Sequence, residues 1–142
     1  MAIDVEALLR LWTHPLPPDD EAAAAAFRAY YTDPVLINGS PMPATELVTR
    51  ARAVQAMFED VQQELLEVFQ TQDKLVLVAR SRGKHVGPMA TSAGMLKPTG
   101  RFLDLRVIDV MTLTDGRISA VWMTADELGA LKSIDAVTLT QP

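Results

Sequence analysis

The sequence predicts an α+β fold, with helices packed over the concave face of a curved antiparallel sheet. Three observations carry this. Apolar residues recur at helical spacing in segments 3–12, 19–31 and 44–59, the pattern turns to strand-like runs between Leu65 and Thr124, and turn residues separate those runs. The 142 residues suit one domain spanning 1–142, and 49% hydrophobic with 22% charged residues argues against disorder.

Ile3, Val5, Leu8, Leu9 and Trp12 form the apolar side of a first short helix, which the prolines of His14-Pro15-Leu16-Pro17-Pro18 end. Asp19 or Asp20 caps a second helix that runs through the alanines at 22–26 to Tyr31. Asp33-Pro34 opens an extended segment, Val35 to Asn38, closed by a turn at Gly39-Ser40-Pro41. Leu47, Ala51, Val54, Met57 and Phe58 mark a third helix over 44–59. Strands follow at Leu65–Phe69, Lys74–Lys84, Arg101–Leu113 and Ile118–Thr124, with hairpin turns at Gln72-Asp73 and Asp115-Gly116. The connection from Val86 to Gly100 is long and irregular, as lids and binding loops are. A final helix is expected over about 125–133.

Composition excludes several classes. Thirteen basic against eighteen acidic residues leave a net charge of −5, which argues against a nucleic-acid partner. With no cysteine and only His14 and His85, thiolate chemistry and a histidine-rich metal site are excluded, and no metal is expected. His14, between prolines, reads as a linker residue. No glycine-rich phosphate loop, dinucleotide fingerprint or Gly-x-Ser-x-Gly elbow occurs, so no cofactor is expected. The N-terminal MAIDVEALLRLW lacks the basic start of a signal peptide and no apolar run approaches a membrane span, so a cytoplasmic protein without membrane contact is expected.

A set of motifs in order resembles the SnoaL-like polyketide cyclases of the NTF2-like superfamily, from about Tyr30 to Leu131. They are Asp73-Lys74, Arg82-Gly83-Lys84-His85-Val86-Gly87, Pro98-Thr99-Gly100-Arg101, Val107-Ile108-Asp109-Val110, and Asp115-Gly116-Arg117-Ile118 leading to Trp122 and Asp126. The resemblance implies a cone-shaped fold with the ligand inside, and a homodimer paired through the outer face of the sheet. Limonene-epoxide hydrolases share that scaffold, but Arg80-Ser81-Arg82 stands where they carry an Arg-x-Asp pair, so one key carboxylate is missing.

Three residues are candidates for catalysis. The resemblance implies that Asp126 is the pocket carboxylate, a base strengthened by apolar surroundings. Thr124-Ala125-Asp126-Glu127 also reads as a capping box, in which Thr124 caps the last helix and Asp126 sits in its first turn. His85 stands at the family's Gly-x-His position, as a proton shuttle or oxyanion donor, or as a pin holding the long loop to the sheet. Strict alternation puts Asp109 on one face with Leu105, Val107, Met111 and Leu113, an inward carboxylate unless a bulge turns it to an edge. Asp104 has the opposite parity and reads as solvated. Arg80, Arg82 and Lys84 share one face, and the alternate face, Ala79, Ser81 and Gly83, leaves room for a ligand. Tyr30, Tyr31, Asn38 and Trp122, with Met89 and Met95 from the long loop, are the candidates for substrate binding, with core packing the alternative for the aromatics.

The function expected is cofactor-independent cyclisation of a small apolar, polyketide-like substrate. Asp126 would act as base for an intramolecular aldol closure, with His85 and protonated Asp109 as oxyanion donors. Epoxide opening or ether-ring formation by an Asp109/Asp126 pair is the alternative within enzymes. A non-catalytic ligand-binding module is the alternative outside them.

Overall fold

The computed structural model describes residues 2–142. Helices α1 (Val5–Thr13) and α2 (Asp20–Arg28) lead into strands β1 (Tyr31–Ile37) and β2 (Ser40–Met42), which helix α3 (Ala44–Met57) follows. Then follow β3 (Phe58–Gln70), β4 (Lys74–His85), the small hairpin β5 (Met89–Thr91) and β6 (Gly94–Leu96), β7 (Phe102–Thr114), β8 (Arg117–Ala125) and α4 (Glu127–Ser133). Six strands make one open sheet in the order β2-β1-β8-β7-β4-β3, while β5 and β6 pair only with each other. The architecture is the α+β arrangement the sequence predicts, with one pairing that departs from it: β1 lies parallel to β8, so the sheet is mixed. Bulges in β3, and irregular register between β1 and β8 and between β7 and β8, bend the sheet around the helices.

Local chemistry accounts for most boundaries. Asp4 and Asp19 cap α1 and α2, accepting from the N–H groups of Ala7 at 3.1 Å and Ala22 at 2.9 Å. Pro43 at the start of α3 has no capping side chain, and Asp33 reaches across from β1 to accept the Ala44 N–H at 3.0 Å. Arg28 holds the Asp33 carboxyl below the usual carboxylate range, and the Ala44 N–H adds to the effect. Asn38 and Gly39 both take positive φ, 49° and 87°, and form the tight turn between β1 and β2; Ser40 and Pro41, read as part of that turn, belong to the strand β2. Asp115 and Gly116 do the same between β7 and β8, with φ of 51° and 79°.

The helices cover one end of the concave face. Leu8, Phe27, Leu47 and Val48 pack against Leu75, Leu77, Met111, Leu113 and Ile118 in the larger core cluster. Burying each large side chain there contributes roughly 1.5–3 kcal/mol. Ala23, Ala24 and Ala51 are fully buried, and their small size lets α2 and α3 approach each other and the sheet. A second cluster, Met57, Phe58, Met89, Leu103, Ala130 and Ile134, fills the other end.

The segment 86–100 is more ordered than a plain loop, since it folds into the β5–β6 hairpin. Its neck is closed by His85 N–H to Arg101 O and Gly100 N–H to His85 O, both 2.8 Å, and its start is tied to α3 by Val86 and Gly87 N–H to Met57 O. Gly87 passes so close to α3 that a Cβ there would stand 2.2 Å from the Ala56 carbonyl oxygen. Gly87→Ala is therefore expected to lower stability by roughly 1–3 kcal/mol in urea melts; an unchanged midpoint would contradict this packing.

Candidate active site

The pairing of β4 with β7 decides which side chains face the helices. It runs without a bulge from Lys74 opposite Thr112 to Lys84 opposite Phe102. Leu75, Leu77, Ala79, Ser81, Gly83 and His85 thus share the concave face with Leu103, Leu105, Val107, Asp109, Met111 and Leu113. The two core clusters fill the ends of this face. Between them Ser81, Val107, Asp109 and Ala125 stay half-buried, and Met123, opposite Asp109 on β8, is 43% exposed. This half-buried strip between the two clusters, mostly apolar with one carboxylate on it, is the candidate cleft.

Asp109 lies where alternation along β7 puts it. Its Oδ1 is buried without a hydrogen-bond partner. Burial alone pushes its carboxyl up from 3.8 to about 6. Beyond it on the helical side, Trp12 Nε1–H donates to the Tyr31 hydroxyl at 3.1 Å. Phe27 lies between these two rings, edge-on to Trp12 at 5.3 Å and tilted against Tyr31 at 5.8 Å. Burial first, and the nearby Asp109 charge last, raise the Tyr31 phenol above its ordinary value, while the Trp12 donor opposes them.

The surroundings expected for Asp126 are not found. It is itself the cap of α4, with Oδ1 accepting the Gly129 N–H at 3.0 Å, so Thr124 is not the cap and still belongs to β8. A Cβ on Gly129 would collide with this carboxylate at 2.3 Å, which explains a glycine inside a helix. Asp126 Oδ2 lies 3.5 Å from Arg106, and its side chain is 46% exposed. It lines a groove of about 250 Å³ with Leu66, Arg80, Asp104 and Arg106. Arg80 and Arg106 have the parity opposite to Ala79 and Val107, so this groove belongs to the convex face. Arg80 binds both oxygens of Asp104, at 2.9 and 2.5 Å, and holds that carboxyl below its ordinary range.

His85 is fully buried at the far end of β4. Its Nδ1 accepts the Thr99 N–H at 3.2 Å, which puts the ring proton on Nε2, and Nε2 has no partner. Through Thr99 it pins the long connection to the sheet. Leu77, opposite Asp109, precedes His85 by eight residues, about 26 Å along the strand. The structure does not bring Asp126, His85 and Asp109 into one site.

Of the substrate-binding candidates, Tyr31 is buried in the larger core cluster, its hydroxyl held by Trp12. Asn38 is committed to the sheet, its Oδ1 accepting the Met123 N–H at 2.8 Å. Tyr30 lines a separate depression with Ile3, Asp4 and Asp115. Trp122 is 63% exposed on the convex face, Met89 is buried in the second cluster, and Met95 stands exposed on the hairpin. The sequence offers Trp12, Val107, Met123 and Ala125 as packing residues at most and not as site residues, although the alternation that places Asp109 puts Val107 on the same face. Among the described residues no three His, Asp or Glu side chains gather as metal ligands, and no helix is long and apolar enough to cross a membrane.

A family model for SnoaL-like polyketide cyclases matches residues 7–134. Among solved structures, TsrD from Streptomyces laurentii is 21% identical, with 96% of this chain and 100% of that one covered at a TM-score of 0.69. A protein assigned as a SnoaL-like polyketide cyclase from Jannaschia sp. CCS1 is 20% identical over 94% and 92% of the two chains, at 0.67. A SnoaL-like polyketide cyclase from Agrobacterium tumefaciens C58 is 16% identical over 90% and 91%, at 0.68. At these identities the likeness is one of fold. Among curated proteins no sequence matches.

The unpaired carboxylate has a consequence for stability. The folded-state value of about 6 lies above the ordinary 3.8, so between these pH values the folded protein keeps a proton that the unfolded chain releases. Stability therefore falls as pH rises through that window. Asp109→Asn is expected to stabilise the protein at pH 7 by about 2–3 kcal/mol and to make no such difference near pH 3.5. Thermal melts at both pH values check this, and equal melting of the two proteins at pH 7 would contradict it.

Proposed function

The chain belongs to the SnoaL-like polyketide cyclase family, and on that premise we propose that it is a cofactor-independent cyclase with Asp109 as its acid–base residue. The observation that carries this reading is the solitary, unpaired carboxylate on the half-buried, mostly apolar strip of the concave face. Ionised at neutral pH yet more basic than an ordinary aspartate, it suits removal of a proton from carbon between two carbonyls. The electron pair of that C–H bond becomes an enolate. The enolate carbon attacks a second carbonyl of the same chain, forming the ring C–C bond, and the resulting alkoxide takes the proton back from Asp109. Val107, Met123 and Ala125 would fold the flexible substrate and exclude water, an effect of roughly 7–11 kcal/mol where geometry is near-ideal. The substrate class is a small, apolar, polyketide-like molecule.

In this reading Asp126 and His85 hold α4 and the 86–100 segment rather than touch substrate. Epoxide opening by an Asp109/Asp126 pair loses its support, since Asp126 is engaged by Gly129 and Arg106 on the convex side. The family resemblance also suggests a second copy on that convex face. Phe69, Val76, Val110 and Trp122 form one lateral row across four strands, flanked by Leu36 and Ile108, and Phe69 and Trp122 are each more than 60% exposed. Monomers seldom expose so continuous an apolar band, and a two-fold pairing would cover it.

With polyketide-type β-dicarbonyl esters as substrates, Asp109→Asn is expected to lower kcat/KM at least 100-fold. Asp126→Asn should change it only a few-fold, and wild-type turnover should fall as pH drops through about 6. Full activity in Asp109→Asn would overturn the assignment. Light scattering is expected to give twice the 15.5 kDa chain mass, and Trp122→Glu to give the single mass; a wild-type monomer would contradict the pairing.

A further inference from the structure

The strand pairing places a second set of polar groups on the concave face. Gln63 of β3 is the direct partner of Ser81 on β4. Directly paired residues of an antiparallel ladder put their side chains on one face, with Cβ atoms about 4.5–5.5 Å apart. Two neighbours fix which face this is. Glu64 reaches Arg82 at 3.7 Å on the convex side, and Leu65, opposite Ala79, packs against the larger core cluster beneath the helices. Gln63 and Ser81 therefore belong to the concave side, in the regular stretch between the two bulges of β3.

Ser81 is half-buried and Gln63 is exposed on the edge strand, and among the described residues neither side chain makes a hydrogen bond. His85, the next polar side chain along this face of β4, is held by Thr99. Asp109 lies at the other end of the strip. Its partner on β4 is Leu77, and Ser81 follows Leu77 by four residues, about 13 Å along the strand. Between them the surface is apolar, with Ala79 opposite Val107. Arg80, Arg82, Asp104 and Arg106 have the opposite parity, so β4 and β7 present no cation and no second carboxylate along this span.

We infer that Ser81 and Gln63 are specificity-determining residues: they hydrogen-bond an uncharged polar group at the far end of an elongated substrate whose acidic carbon lies at Asp109. The inference rests on the reading of the strip as the substrate site and of Asp109 as its base. A hydroxyl and a primary amide each offer a donor and an acceptor, so the pair matches an amide or hydroxyl on the substrate. A carboxylate placed there would lose hydration and find no cation in return. The span also sets a minimum length, since a substrate too short to reach both ends loses the second contact.

The test is titration calorimetry on the Asp109→Asn protein, which the proposed function leaves without turnover. The probes are three 3-oxo esters whose chains end, about 13 Å from the acidic carbon, in a methyl group, a primary amide or a carboxylate. The amide is expected to bind about 3–10-fold more tightly than the methyl-ended probe, and the carboxylate no more tightly than it. Ser81→Ala and Gln63→Ala should each remove most of that preference and leave the methyl-ended probe unaffected. Gln62→Ala, a neighbour on the convex side opposite Arg82, should leave all three affinities unchanged. Equal binding of the amide and methyl-ended probes, or a preference that survives both Ser81→Ala and Gln63→Ala, would overturn the inference. Failure to bind any of the three overturns it together with the strip as substrate site. The preference is read from binding, so it is separate from the activity of Asp109→Asn, which tests the cyclase reading.

Discussion

The bulge-free pairing of β4 with β7 is the constraint from which the site follows. Because side chains alternate strictly along both strands, this one register places Ala79, Ser81 and Gly83 opposite Leu103, Leu105 and Val107 beneath the helices. It sends Arg80, Arg82, Asp104 and Arg106 to the other side, where they form an ion-paired surface. A slip of one residue would bury those charges and expose the leucines. Ser81, Val107 and Asp109 belong to neither apolar cluster, so the half-buried strip between the clusters is a product of register and residue size together.

The molecule accepts an energetic penalty on that strip. A carboxylate on an apolar floor is disfavoured in the folded state, and Asp109 bears this without a charged partner. Asp126 presents the reverse case. It lies at a helix N-terminus, accepts a backbone N–H and has an arginine within reach. Its oxygens are engaged in holding α4. In the function proposed, this contrast assigns Asp126 to holding the helix and Asp109 to the chemistry.

Much of this was legible in the sequence because its signals were local. Asp4 and Asp19 stand just before apolar-periodic segments, Asp115-Gly116 supplies the positive φ that a tight hairpin needs, and the parity of Asp109 survives because β7 has no irregularity until Thr112/Leu113. Asn38-Gly39 carried the same turn signal, obscured by Pro41 two residues later. Other features depended on long-range pairing. Thr124 and Asp126 are both good caps, and only the pairing of Ala125 with Val107, which keeps β8 extended, selects Asp126. The strand β3 begins directly where α3 ends, with no glycine or proline between, and its Glu- and Gln-rich sequence pairs only because β4 offers it an edge. The family resemblance placed the fold correctly. It implied Asp126 as the pocket carboxylate, whereas Asp126 caps α4 beside Arg106, because its place depends on where a single strand ends.

The most direct test of the account is a crystal structure of the protein with a flat, hydroxylated polyketide-like ligand. The account predicts that the ligand lies between the two core clusters, against Val107 and Met123, with an oxygen within hydrogen-bond distance of Asp109. A ligand seated instead in the convex groove beside Asp126 and Arg106, with the cleft unoccupied, would contradict it.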